Sequence, residues 1–135
     1  MANLKDLTRQ HKEIYDIIDI LKDNLSEDKV KQEASKLAQS INVLAGKLKI
    51  HLLSEDDYLY PKLMNGSDSR AKETAERFYH EMGNLSAVFS DYKGKYNISS
   101  RILGNIQGYI KDTQGILEAL QSRMHKEDNE LYVLL

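Results

Sequence analysis

The sequence contains no cysteine. That one absence removes disulfides, thiolate metal sites and cysteine nucleophiles together. It contains one proline, Pro61, so little interrupts a helical chain. No run of apolar residues is long enough to span a membrane. Neither sign of charge dominates, with 19 lysines and arginines against 21 aspartates and glutamates and a net charge of −2. The basic residues are scattered, which argues against a nucleic-acid or lipid surface. The opening stretch MANLKDLTRQHKE is charged from Lys5 onward and does not read as a signal peptide. A cytoplasmic location is the expectation. No Ser-His-Asp arrangement and no glycine-rich phosphate loop is evident, which argues against hydrolase and nucleotide-driven chemistry.

What is present is helix periodicity. The 135 residues, 41% hydrophobic and 30% charged, suit one domain with one core. Leu4, Leu7, His11, Ile14, Ile18 and Leu21 recur at alternating spacings of three and four. A second stripe runs from Ala34 through Ile41 and Leu48 to His51, Glu55 and Tyr58. A third runs from Ala75 through Phe78 and Met82 to Tyr92, and a fourth from Ile106 through Leu117 and Met124 to Glu127, Leu131 and Leu134. The breaks hold capping residues. Ser26 precedes the second stripe, NGSDS at 65–69 the third, and KGKYNISS at 93–100 the fourth. Four amphipathic helices with short connections predict an all-α, antiparallel up-down four-helix bundle spanning residues 1–135. Gly104 and Gly108, four apart in the fourth helix, would let a neighbouring helix approach.

The stripes are apolar with a few exceptions: His11, His51, Glu55 and Glu127. Taken singly, each has a plain reading as a satisfied core histidine or a surface pair. Taken together, they send two imidazoles and two carboxylates inward from three helices. A buried carboxylate without a partner costs several kcal/mol. A bound metal ion resolves that cost, and nitrogen with carboxylate oxygen suits iron, manganese or zinc. The tyrosines read as core and rim residues.

One template is written twice. EDDYLYPKL at 55–63 and EDNELYVLL at 127–135 share Glu-Asp, Leu-Tyr and a final Leu. With LTRQHKEI around His11 and HLLSEDDYLYPKL from His51, the chain resembles the hemerythrin family, the HHE cation-binding domain. The motif His-x-x-x-Glu-(Glu/Asp)-x-x-Leu-Tyr-Pro is complete at His51, Glu55, Asp56, Leu59, Tyr60 and Pro61. The resemblance implies a four-helix bundle with a non-haem iron centre, usually of two irons. It implies binding or sensing of dioxygen or another small diatomic, or protection against oxidative and nitrosative stress. Peroxide decomposition and iron delivery are the enzymatic alternatives, and a structural or interaction module is a third.

His11, His51 and Glu55 match the family pattern directly. Helices 3 and 4 do not. Where the family has histidine, this chain has Arg123, and His125 lies two residues on, about 200° around a helix. His80 stands in the same relation to Phe78, and Tyr79 is nearer the inward position. Two arrangements therefore stay open. In the first, π-bulges turn His80 and His125 inward, with Glu127 or Glu130 as the last carboxylate, and two ions are held. In the second, His11, His51, Glu55 and Glu127 form a half-centre for one ion. The Arg123 guanidinium then takes the place of the other.

Overall fold

The computed structural model describes residues 3–135, and among them every regular element is helical. Helix α1 (Leu4–Lys22) starts at a capping box. The Asn3 side chain accepts from the Asp6 amide at 3.0 Å, and the Asn3 amide donates to Asp6 Oδ2 at 3.2 Å. Such a cap contributes about 1 kcal/mol. Helix α2 (Glu27–Ser54) starts at Ser26, the predicted cap, whose hydroxyl accepts from the Lys29 amide. It runs into a π turn at Glu55–Leu59 and then a short helix, α3 (Tyr60–Met64). Pro61 lies in the first turn of α3, where a missing N–H is tolerated. The second template copy makes the same π turn with Val133 in place of proline. Proline is therefore not the cause of the turn.

Helix α4 (Ser69–Tyr96) is capped by Asp68, which accepts from the amides of Arg70 and Ala71. The fourth helix, expected to run unbroken from the cap in 93–100, differs from that expectation. It is broken into α5 (Ser99–Leu103) and α6 (Ile106–Lys126), followed by a π turn at Glu127–Leu131 and a 3-10 turn at Tyr132–Leu134. Asn105 makes the break. It accepts from the Gly108 amide at 3.1 Å and so caps α6. A Cβ on residue 108 would run into this Asn105 side chain. The paired glycines therefore serve a helix start, not the approach of a neighbouring helix: Gly104 ends α5 and Gly108 makes room for the cap.

Helix α1 packs on α2 and α6, α2 on α4, α5 and α6, and α4 on α6. The apolar residues fall into two clusters. The larger holds Ile14, Ile18, Leu48, Phe89, Leu120 and Met124. The smaller holds Leu7, Leu59, Leu63, Phe78 and Leu131. His11 falls between Leu7 and Ile14, His51 and Glu55 between Leu48 and Leu59, and Glu127 between Met124 and Leu131. A polar layer thus cuts the hydrophobic core in two. Among the described residues no helix is long and apolar enough to cross a membrane.

Candidate metal centre

The layer brings together His11, His51, Glu55 and Glu127. One ligand atom from each lies within 4.8 Å of the others. His11 Nε2 is 3.0 Å from His51 Nε2 and 2.8 Å from Glu127 Oε1. His51 Nε2 is 3.3 Å from the same Glu127 oxygen and 3.4 Å from Glu55 Oε2. The last pair shares a helix face because its members are four residues apart. All four side chains are buried, three of them completely.

The far nitrogen of each imidazole is engaged. His11 Nδ1 lies 2.9 Å from Asp128 Oδ1, and His51 Nδ1 lies 2.8 Å from Gln10 Oε1. Gln10 is fixed in turn, because its Nε2 donates to Ser54 Oγ at 2.9 Å. Both partners accept, so each Nδ1 carries the proton. In the neutral ring the Nε2 lone pair then faces the cluster, which is the tautomer a metal ligand needs. Two lone pairs 3.0 Å apart repel unless a cation or a proton sits with them.

Burial and close neighbours pull the ionisation of the cluster in opposite directions. Burial by itself would lower the His51 pKa, but hydrogen bonds to Glu127 and Glu55 and their charges carry it up to about 9. Burial works to raise Glu127, and hydrogen bonds from His11 and His51 overcome it and hold that carboxyl well below its ordinary range. Glu55 goes the other way, pushed up by burial and then by the charge of Glu127. Its Oε1 is buried with no hydrogen-bond partner. An orphaned carboxylate oxygen, two convergent imidazole nitrogens and a second carboxylate are a donor set that fits iron, manganese or zinc.

Tyr132 belongs to the centre as well, and sequence reasoning missed it. Its hydroxyl donates to Glu55 Oε2 at 2.8 Å and lies 3.0 Å from His11 Nε2. Its ring stacks on His11 with centroids 5.1 Å apart. The π turn brings it there, since i→i+5 winding puts Tyr132 over Glu127. The available signal was the Leu-Tyr shared by the two template copies.

Arg123 is buried on the other side of Glu127. Its Nε donates to Glu127 Oε2 and its Nη1 to Glu81 Oε2, both at 3.2 Å, and its Nη2 donates to the Phe78 carbonyl. The guanidinium also lies over the Phe78 ring, 4.5 Å from its centroid. Of the six residues expected from sequence as ligands, His80 and His125 stay outside. Both are exposed, His80 beside Tyr79 and His125 beside Tyr15. Helices α4 and α6 run regularly through these histidines, and the π turn expected to rotate His125 comes after it. Tyr79 is half exposed and packs edge-on against Tyr60, away from the cluster. Glu130 is exposed, which leaves Glu127 as the inward carboxylate of this turn.

A family model described as the hemerythrin HHE cation binding domain matches residues 2–135. No curated protein and no solved structure matches the chain.

Proposed function

The chain belongs to the hemerythrin HHE cation-binding domain family, and from that premise we propose that it is a non-haem iron protein that binds or senses dioxygen or another small diatomic. In this reading residues 1–135 form one domain, an antiparallel up-down bundle whose four members are α1, α2 with α3, α4, and α5 with α6. His11, His51, Glu55 and Glu127 hold the ion. The supporting observation is the pair of Nε2 atoms 3.0 Å apart, each freed by a partner on its own Nδ1 and each facing a buried carboxylate.

Iron held there would supply Lewis acidity and redox chemistry, and four protein ligands would leave a position free for a small ligand. The chain's own groups do the rest. Asp128 and Gln10 orient the imidazoles. The two apolar clusters exclude water from above and below. The Tyr132 hydroxyl holds a proton 2.8 Å from Glu55, where it serves as a hydrogen-bond donor inside the pocket.

One observation favours a second reading, in which the layer is a structural network without metal. Glu127 is already paired with both histidines and with Arg123. Anaerobic titration with ferrous iron, followed by calorimetry and melting, separates the two. At a hundredfold excess of free iron over Kd, binding stabilises the fold by about 2.7 kcal/mol. His51→Ala should remove that gain. A melting temperature indifferent to both iron and chelator would leave the structural reading standing.

A further inference from the structure

The two copies of the sequence template meet in space as two half-sites. Counted from their shared Glu-Asp, His51 corresponds to Arg123, Glu55 to Glu127 and Tyr60 to Tyr132. The correspondence holds in the backbone, because both copies leave the α-helix at the glutamate and make a five-residue π turn. The halves differ in one chemical respect. Where the first copy offers an imidazole, which can give up its proton to a metal ion, the second offers a guanidinium, which cannot.

We infer that Arg123 is a resident cation: it fills the place at which the second half-site would hold a second metal ion, and so limits the centre to one. The inference rests on the metal reading above. Its geometric basis is Glu127, which divides its two oxygens. Oε1 faces both imidazoles, at 2.8 and 3.3 Å, and Oε2 faces Arg123 Nε at 3.2 Å. The carboxylate thus stands between the candidate ion on one side and the guanidinium on the other.

The surroundings of the guanidinium are those of a cation site. Glu127 Oε2, Glu81 Oε2 and the Phe78 carbonyl are oxygen donors of the kind a hard cation takes. All three are occupied by N–H groups of one side chain that is 5% exposed. Helix α4 contributes Glu81 and the Phe78 carbonyl to Arg123, and no α4 residue is in the His/Glu group of the first half-site. Tyr60, the counterpart of Tyr132, is buried with its hydroxyl unpaired. The second half-site therefore has its carboxylate, its tyrosine and further oxygen donors from α4. It lacks an imidazole at position 123, and α4 turns no histidine inward to match the His11 of α1.

Charge decides between one ion and two. Two buried carboxylates and one guanidinium leave a single negative charge for neutral imidazoles. One divalent ion makes the layer modestly positive. A second would have to settle against a guanidinium that does not give up its proton, and like charges at contact distance in a buried site repel strongly.

The test is the number of ions per chain. Full-length protein would be loaded with ferrous iron without oxygen, desalted and submitted to elemental analysis, with circular dichroism as the check on folding. The parent should hold one ion. Arg123→His supplies the ligand type found at His51 and should bring the count towards two. Arg123→Lys keeps the cation and should stay at one. A parent with two ions overturns the inference while leaving the metal reading intact, and this arm depends on no variant folding. Arg123→His that keeps native helicity but still holds one ion also overturns it. A parent with none overturns the metal reading, and the inference with it.

Discussion

Replacing Arg123 with methionine keeps most of the aliphatic stem and removes the guanidinium. Three acceptors then lose their donor. They are not equal. The Glu81 side chain is 50% exposed, so water replaces its lost partner and its share is below about 1 kcal/mol. The Phe78 carbonyl is buried, and an orphaned buried acceptor costs about 1–3 kcal/mol. Glu127 Oε2 is completely buried and loses its charged partner, which brings the expected total to about 3–5 kcal/mol. That is a large part of the roughly 5–15 kcal/mol that holds an ordinary domain folded. Urea unfolding followed by circular dichroism, with chelator present, measures it. With a slope of about 2 kcal/mol per molar, the midpoint should fall by about 2 M. Arg9→Met is the control: its exposed side chain bridges only Asp6 and Glu13, and its loss should cost less than about 0.5 kcal/mol. A midpoint shift for Arg123→Met no larger than that of Arg9→Met would refute the claim that the guanidinium is the fixed partner of buried oxygens.

The remaining predictions concern other parts of the molecule. Gly108→Ala should not bring the usual helix gain of about 1 kcal/mol, because the new Cβ displaces the Asn105 cap. Gly115→Ala in the same helix meets nothing within 4 Å and should bring it, so equal stabilities for the two variants would contradict the capping account. The metal-free protein should lose stability as pH rises from 6.5 through about 9. The His51 pKa is raised in the fold, so its contribution is complete below the unfolded value and gone above the folded one. The loss is on the order of 3 kcal/mol at most, and His51→Gln should flatten that limb of the stability–pH curve. The double variant His80→Ala, His125→Ala should bind ferrous iron as the parent does. A drop in the number of ions held would return those histidines to the centre.

Regular helix counting carried the reading of the sequence a long way. His11, His51, Glu55 and Glu127 stand in apolar stripes, and each side chain is buried where its stripe put it. Ser26 announced the start of α2 because a capping hydroxyl is a local signal. The errors begin where the winding changes. Counting on from Glu55 points Tyr58 inward, yet Leu59 is the residue fully buried. Counting on from Glu127 points Leu134 inward, yet Tyr132 takes the interior place and Leu134 is partly exposed. Five residues of regular helix turn about 500°, which leaves Tyr132 some 140° from Glu127. The π turn removes most of that angle. Nothing in residue type alone marks such a turn, although its occurrence at both copies of one template ties it to that template. The break at Asn105 was missed for a related reason. A capping asparagine between two helical stripes has the same periodic neighbours as an asparagine within one.

The deep burial of the four candidate ligands has a consequence for time rather than affinity. With the four side chains at most 3% exposed, entry and exit of an ion should wait for the helices to part. Local openings of this kind run from microseconds to seconds and beyond, according to how much structure comes loose. Removal by a chelator should then proceed at a rate that stops increasing with chelator concentration, because the protein and not the competitor sets the pace. The polar layer would act as a slow door between two dry compartments, and the lifetime of a bound ion would report how often that door swings.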